Sequence, residues 1–116
     1  MTRKRTVGLT FDDVRHIALT MPGVEERTSY GRPAFYVGKT MLACAGKQND
    51  HIVVRMGFDE RELRMEAEPG TYFITDHYRG WPYVLVRLAT IAEDALARLL
   101  EQTRREVAPK ARERKA

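Results

Sequence analysis

Residues 33–57 read PAFYVGKTMLACAGKQNDHIVVRMG, three short apolar segments separated by turn residues, and this run constrains the fold more than any other stretch. PAFYVG passes through Gly38-Lys39 into TMLACAG, a hairpin pattern. GKQND is turn chemistry, and HIVVRMG is the third strand. Links this short join antiparallel neighbours, because a parallel crossover needs a dozen residues or more. In HIVVRMG the side chains alternate, so Ile52, Val54 and Met56 point one way and His51, Val53 and Arg55 the other.

Helical patterns flank the run. TFDDVRHIALTMPG has Thr10 as a cap, Asp12 and Asp13 at its positive end and Pro22-Gly23 as a stop. Its apolar stripe is Phe11, Val14, Ala18 and Met21, with Ile17 beside it. VEERTSYGR then reads as a polar loop. FDERELRMEAEPG is a short helix in which Asp59 and Glu62 make a capping-box pair. TYFIT and YVLVRL are the last two strands, joined through DHYRGWP. TIAEDALARLLEQTRREVAPK is the best helix. Thr90 and Glu93 box its start, Ala92, Leu96, Leu99, Leu100, Thr103 and Val107 form its inner stripe, and Pro109 is expected to end it.

The expected order is α-β-β-β-α-β-β-α. It describes a two-layer α+β domain with an antiparallel five-stranded sheet, helices on one face and the other face wet. The 116 residues suit one domain, read as residues 10–108 between a basic N-terminal arm at 1–9 and a basic C-terminal tail at 109–116. The net charge is +4, but Arg3, Lys4 and Arg5 contribute +3 and residues 104–116 contribute +4, so residues 6–103 sum to −3. Basic ends of this kind bind phosphate backbones nonspecifically or serve as solvated tails. The negative body argues against DNA. No apolar run is long enough to span a membrane, and the N-terminus lacks the apolar core of a secretory signal. Cys44 is the only cysteine, so a reducing cytoplasm is the expected compartment.

Three blocks, MPGVEE (21–26), GRPAFYVGKTM (31–41) and HYRGWPYVLVRL (77–88), together with the closing VAPK (107–110), resemble the MmcQ/YjbR family over about residues 10–110. The resemblance implies a small cytoplasmic bacterial protein with a two-layer α+β fold likened to secretion chaperones and to the frataxin-type CyaY proteins. It also implies a DNA-binding label, because the family's sheet is compared with a double-wing DNA-binding domain. It implies no catalytic residues.

The residues themselves argue against catalysis, cofactors and metal. His16, His51 and His77 are scattered, and no Cys-x-x-Cys or His-x-x-x-His spacing exists. Asp12, Asp13, Glu25 and Glu26 read as helix-dipole partners and loop charge rather than an iron ridge. Cys44 lies in an apolar strand as a small hydrophobe, and no nucleophile elbow or phosphate loop is present.

Binding is the better expectation. If Val84, Val86 and Leu88 face the helices, Tyr83, Leu85 and Arg87 face out, and PAFYVG sends Phe35 and Val37 in and Tyr36 out. Tyr36, Arg55, Tyr83 and Arg87 then share one surface, joined by Arg79 on the DHYRGWP link. Arginine forks and aromatic faces suit nucleic acid. They equally suit a protein partner or a second copy of the chain. The plain alternative is a surface whose arginines pair with carboxylates across strands. Within the link, Gly80 is expected to supply an unusual backbone angle, Trp81 to cover an edge of the core beneath Arg79, and Pro82 to lead into the strand. A small-molecule or catalytic site near Trp81 is the least favoured reading.

Overall fold

A computed structural model of the protein describes the backbone of residues 8–115 and the side chains of residues 8–107. The basic arm, apart from Gly8 and Leu9, and the side chains of the basic tail lie outside the described residues. Leu9 belongs to the core rather than to the arm. It is buried, and its N–H donates to the Leu88 carbonyl at 3.0 Å.

In chain order the elements are α1 (Phe11–Leu19), β1 (Val24–Ser29), β2 (Arg32–Val37), β3 (Thr40–Ala45), β4 (His51–Arg55), α2 (Phe58–Ala67), β5 (Tyr72–Phe73), a 3-10 turn (Asp76–Tyr78), β6 (Tyr83–Arg87) and α3 (Glu93–Lys115). Every strand pair is antiparallel, in the order β1-β2-β3-β4-β6-β5. The domain is therefore α+β with a single antiparallel sheet, as expected, but the sheet has six strands rather than five. VEERTS is β1, not a loop. Its burial is almost wholly exposed, so it carries no apolar alternation, and Glu25, Glu26 and Arg27 mark it as a charged edge strand. The turn that closes it, Tyr30-Gly31, has φ of +52° and +78°, the pair of positive angles a two-residue hairpin loop demands.

Other boundaries shift for local reasons. α1 begins as expected, with Thr10 Oγ1 accepting from the Asp13 N–H and Asp13 Oδ2 accepting from the Thr10 N–H at 2.8 Å. α2 starts two residues earlier than a cap at Asp59 requires. Gly57 is the N-cap and makes no side-chain cap bond. TYFIT shortens to Tyr72–Phe73, because Thr75 already accepts the Tyr78 N–H that starts the 3-10 turn. Thr90 does not cap α3. Its hydroxyl donates to the Gly70 carbonyl at 3.0 Å and meets the Thr71 hydroxyl at 2.9 Å, tying the helix entry to the loop after α2. α3 continues through Pro109 to Lys115, since proline's fixed φ is helical and its cost is local to the preceding turn.

The helices supply side chains to one face of the sheet. Val14 and Ala18 of α1 and Leu96, Leu99 and Leu100 of α3 close over Phe35, Leu42, Ile52, Val54, Val84 and Val86. An irregularity opposite Phe35/Tyr36 turns both Leu42 and Ala43 of β3 into this core, leaving Met41 and Cys44 for the other face.

Candidate functional site

The face of the sheet turned away from the helices is organised around one register line. Arg27, Ala34, Cys44, Val53, Leu85 and Phe73 are successive cross-strand partners over all six strands. The four in the middle are buried and form a second apolar cluster, packed by Tyr36, Met41, Phe73, Tyr78 and Tyr83. The face is therefore not simply wet. Its centre is small and apolar, and its cover comes from long side chains of the sheet and from Tyr78 of the link.

Tyr36, Arg55, Tyr83 and Arg87 are brought together on this face. Arg55 stands opposite Tyr83, with its guanidinium carbon 5.5 Å from the ring centre. Arg87 stands opposite His51 and lies 4.0 Å above the Phe73 ring. Arg27 lies 5.0 Å over Tyr36 and pairs with Glu25 at 2.9 Å. Among the described residues neither Arg55 nor Arg87 pairs with a carboxylate across strands, against the plain alternative above. Arg55 Nε and Arg87 Nη1 are buried without any hydrogen-bond partner. Cation–π contact with a ring favours each guanidinium where it stands without supplying a hydrogen-bond acceptor for its N–H groups.

Arg79 is not over an aromatic ring. Its side chain is exposed and bonds Asp76 Oδ1 at 2.5 Å within the 3-10 turn. Trp81 does not cover the core either, being 59% exposed. Gly80 has no left-handed φ, and a β-carbon there would meet nothing within 4 Å, so the backbone does not require glycine. Pro82 is the centre of a tight turn in which the Tyr83 N–H donates to the Trp81 carbonyl at 2.8 Å, and its own carbonyl accepts the Met56 N–H at 2.8 Å.

What shapes the link is Arg61, a residue the sequence reading passes over. It sits on α2, only 3% exposed, with its guanidinium 4.9 Å from the Phe58 ring. Nη1 donates to the carbonyls of Tyr78, Trp81 and Tyr83 at 3.0, 2.7 and 3.0 Å, and Nη2 to that of Arg79 at 3.0 Å. One buried cation thus gathers four carbonyls of a segment with no regular ladder. The signal for it was present. Phe58, Arg61 and Met65 share one side of α2, and an arginine on an inward position needs acceptors.

Cys44 and Tyr78 are neighbours on the outward face. Burial pushes the Cys44 thiol up, with Arg32 opposing, so the thiolate is disfavoured. Burial also raises the Tyr78 phenol, with the nearby Arg32 opposing. His51 gives its Nδ1 to Asp50 Oδ1 at 2.8 Å, not to Cys44. No group of three or more His, Cys, Asp or Glu side chains that could hold a metal lies among the described residues. No helix among them is long and apolar enough to cross a membrane.

The chain belongs to the YjbR family, whose model matches residues 19–106. It is 32% identical to the uncharacterised proteins Mb2600 of Mycobacterium bovis and Rv2570 of Mycobacterium tuberculosis, across 87% of this chain and 90% of theirs. It is also similar in structure to the crystallised DR2400 of Deinococcus radiodurans, a DUF419 protein. The TM-score is 0.67 at 22% identity, over 81% of this chain and 75% of that one.

Proposed function

We propose that this protein binds nucleic acid through the outward sheet face, without catalysis. The observation that carries the reading is the pair of guanidiniums, Arg55 and Arg87, each held over an aromatic ring and making no ion pair among the described residues. Charge is segregated around them. Outward strand positions hold Arg27, Arg32, Arg55 and Arg87 against Glu25, while the helices up to residue 107 carry ten carboxylates against six arginines. The negative sum over residues 6–103 therefore belongs to the helix side. Arg87 is opposite His51, four positions along β4 from Arg55, so the two are about 13 Å apart along the strands. One small anion does not bridge that distance. A duplex carrying a charge every ~1.7 Å along its axis does.

The test is binding of a labelled DNA duplex across a salt series, followed by fluorescence anisotropy. The full-length chain is compared with one whose Arg3, Lys4, Arg5, Lys110, Arg112, Arg114 and Lys115 are glutamine. Affinity that falls steeply with salt and survives this change supports the reading. Loss of all binding with the basic ends neutralised assigns the contact to the ends and defeats it.

A protein partner or second copy is the other reading, favoured by the apolar strip Ala34–Cys44–Val53–Leu85 beneath the tyrosines. It expects association, seen by sedimentation or with a purified partner, that Tyr36→Ala with Tyr83→Ala abolishes. A monomer with salt-dependent DNA affinity excludes it.

A further inference from the structure

His51 occupies a place made for its ring. On the outward face it stands between Gly46 of the β3–β4 turn and Arg87 of β6. A β-carbon on Gly46 would lie 2.3 Å from His51 Nε2, 2.4 Å from Cδ2 and 2.7 Å from the His51 carbonyl oxygen, so the imidazole lies across a turn position that glycine leaves open. Phe73 meets the ring edge-on at 5.8 Å, and the same Phe73 carries the Arg87 guanidinium at 4.0 Å. One phenyl ring therefore seats both groups. Nδ1 is committed to Asp50 at 2.8 Å, whereas Nε2 has no hydrogen-bond partner among the described residues, and the side chain is 13% exposed.

We propose that His51 and Arg87 form a phosphate-contacting subsite of this face, in which protonated His51 adds a donor beside the guanidinium. The proposal rests on the nucleic-acid reading and names one contact within it. The direction follows from the tautomer. Asp50 is ionised and only accepts, and its carboxyl is held below the usual range chiefly by the His51 hydrogen bond. Nδ1 therefore carries a proton in the neutral ring, and Nε2 presents a lone pair that repels a phosphate oxygen. Adding a second proton converts Nε2 into a charged donor. The charged groups facing the ring are Asp50 on its own strand end and Arg87 across the pair, while Gly46 and Phe73 contribute none. Arg87, cross-strand from His51 with its guanidinium seated on the same Phe73 ring, supplies the constant half of the subsite.

Two measurements decide it. In the first, His51 ring resonances of the full chain are titrated with pH in inorganic phosphate and in chloride at matched ionic strength. Phosphate is expected to shift the His51 midpoint upward and to leave exposed His77 unchanged, and Arg87→Gln is expected to abolish the shift. In the second, affinity for the DNA duplex is measured at about pH 5.5 and pH 8. Tightening by roughly ten- to a hundredfold at low pH, the worth of one charge-assisted hydrogen bond, is expected in the natural chain and not in His51→Gln. A His51 midpoint indifferent to phosphate, a shift that survives Arg87→Gln, or a pH dependence that survives His51→Gln each overturns the proposal. If no duplex binds under any condition while phosphate still moves His51 through Arg87, the nucleic-acid reading fails and the subsite stands.

Discussion

The two faces of the sheet are both dry at the centre, yet they are dry for different reasons. On the inner face Phe35, Ile52, Val54 and Val86 are covered by apolar side chains of other elements. On the outer face Ala34, Cys44, Val53 and Leu85 are covered by the sheet's own tyrosines and by Tyr78. The arginines repeat the contrast. Arg61, Arg55 and Arg87 each lie over an aromatic ring, but Arg61 spends both terminal nitrogens on four carbonyls and leaves only Nε unfilled, whereas Arg55 and Arg87 donate no side-chain hydrogen bond among the described residues. Burial alone therefore does not separate a structural face from a binding one. What separates them is how far the polar groups that cover it are satisfied.

The largest effect belongs to the inner face. Phe35 is fully buried and stacks on Phe11 at 5.6 Å. Phe35→Ala is expected to cost about 3–5 kcal/mol by denaturant unfolding. The same truncation applied to Tyr36, its outward neighbour, is expected to cost clearly less, because that side chain is only partly buried. Equal costs would erase the distinction between the faces.

Arg61 comes next. Arg61→Ala removes the shared side-chain donor of the Tyr78, Arg79, Trp81 and Tyr83 carbonyls and is expected to cost about 2–4 kcal/mol. It also frees the link, so the anisotropy of Trp81 fluorescence, the protein's only tryptophan, is expected to fall. Lysine restores charge but not the planar fork, so Arg61→Lys is expected to recover only part of both. An unchanged Trp81 signal with lowered stability would show that Arg61 supports the core and does not hold the link.

Much of this contrast was legible in residue order. Strand alternation placed Tyr36, Arg55, Tyr83 and Arg87 on one face, because with one face buried the period of two leaves no choice of side. β1 was not legible, since an edge strand with no buried face has no alternation to read. The link misled for a related reason. Gly80, Trp81 and Pro82 were read by their own conformational habits, whereas the segment takes its shape from Arg61, some twenty residues away. Whether outward arginines would meet carboxylates or rings depended on register between strands, which the sequence does not display.

A smaller effect is expected on the helix side. Arg104 and Arg105 reach Glu101 at 2.7 and 3.0 Å, and hydrogen bonding from Arg104 first holds its carboxyl down to about 2 from the ordinary 4.5. A depressed carboxylate contributes stability above its ordinary value and loses it as the pH falls toward the folded one. Glu101→Gln is thus expected to be less stable than the natural chain near neutral pH and equal to it near pH 2. At a helix surface the difference is under about 1 kcal/mol. A difference unchanged between those limits would show that Glu101 acts by packing.

The smallest expected change in stability is the most informative about the outer face. Among the described residues Arg55 has no carboxylate partner to lose, and glutamine keeps part of its stem over Tyr83. Removing an unfilled buried Nε offsets the lost cation–π contact, so Arg55→Gln is expected to alter unfolding free energy by no more than about 0.5 kcal/mol. Its effect on ligand is a separate quantity. If Arg55 neutralises one phosphate, the slope of log affinity against log salt falls by about one. Stability held constant while the slope drops would mark the residue as placed for a partner. A loss of stability with an unchanged slope would make Arg55 the outer face's counterpart of Arg61, and the two faces would differ only in what covers them.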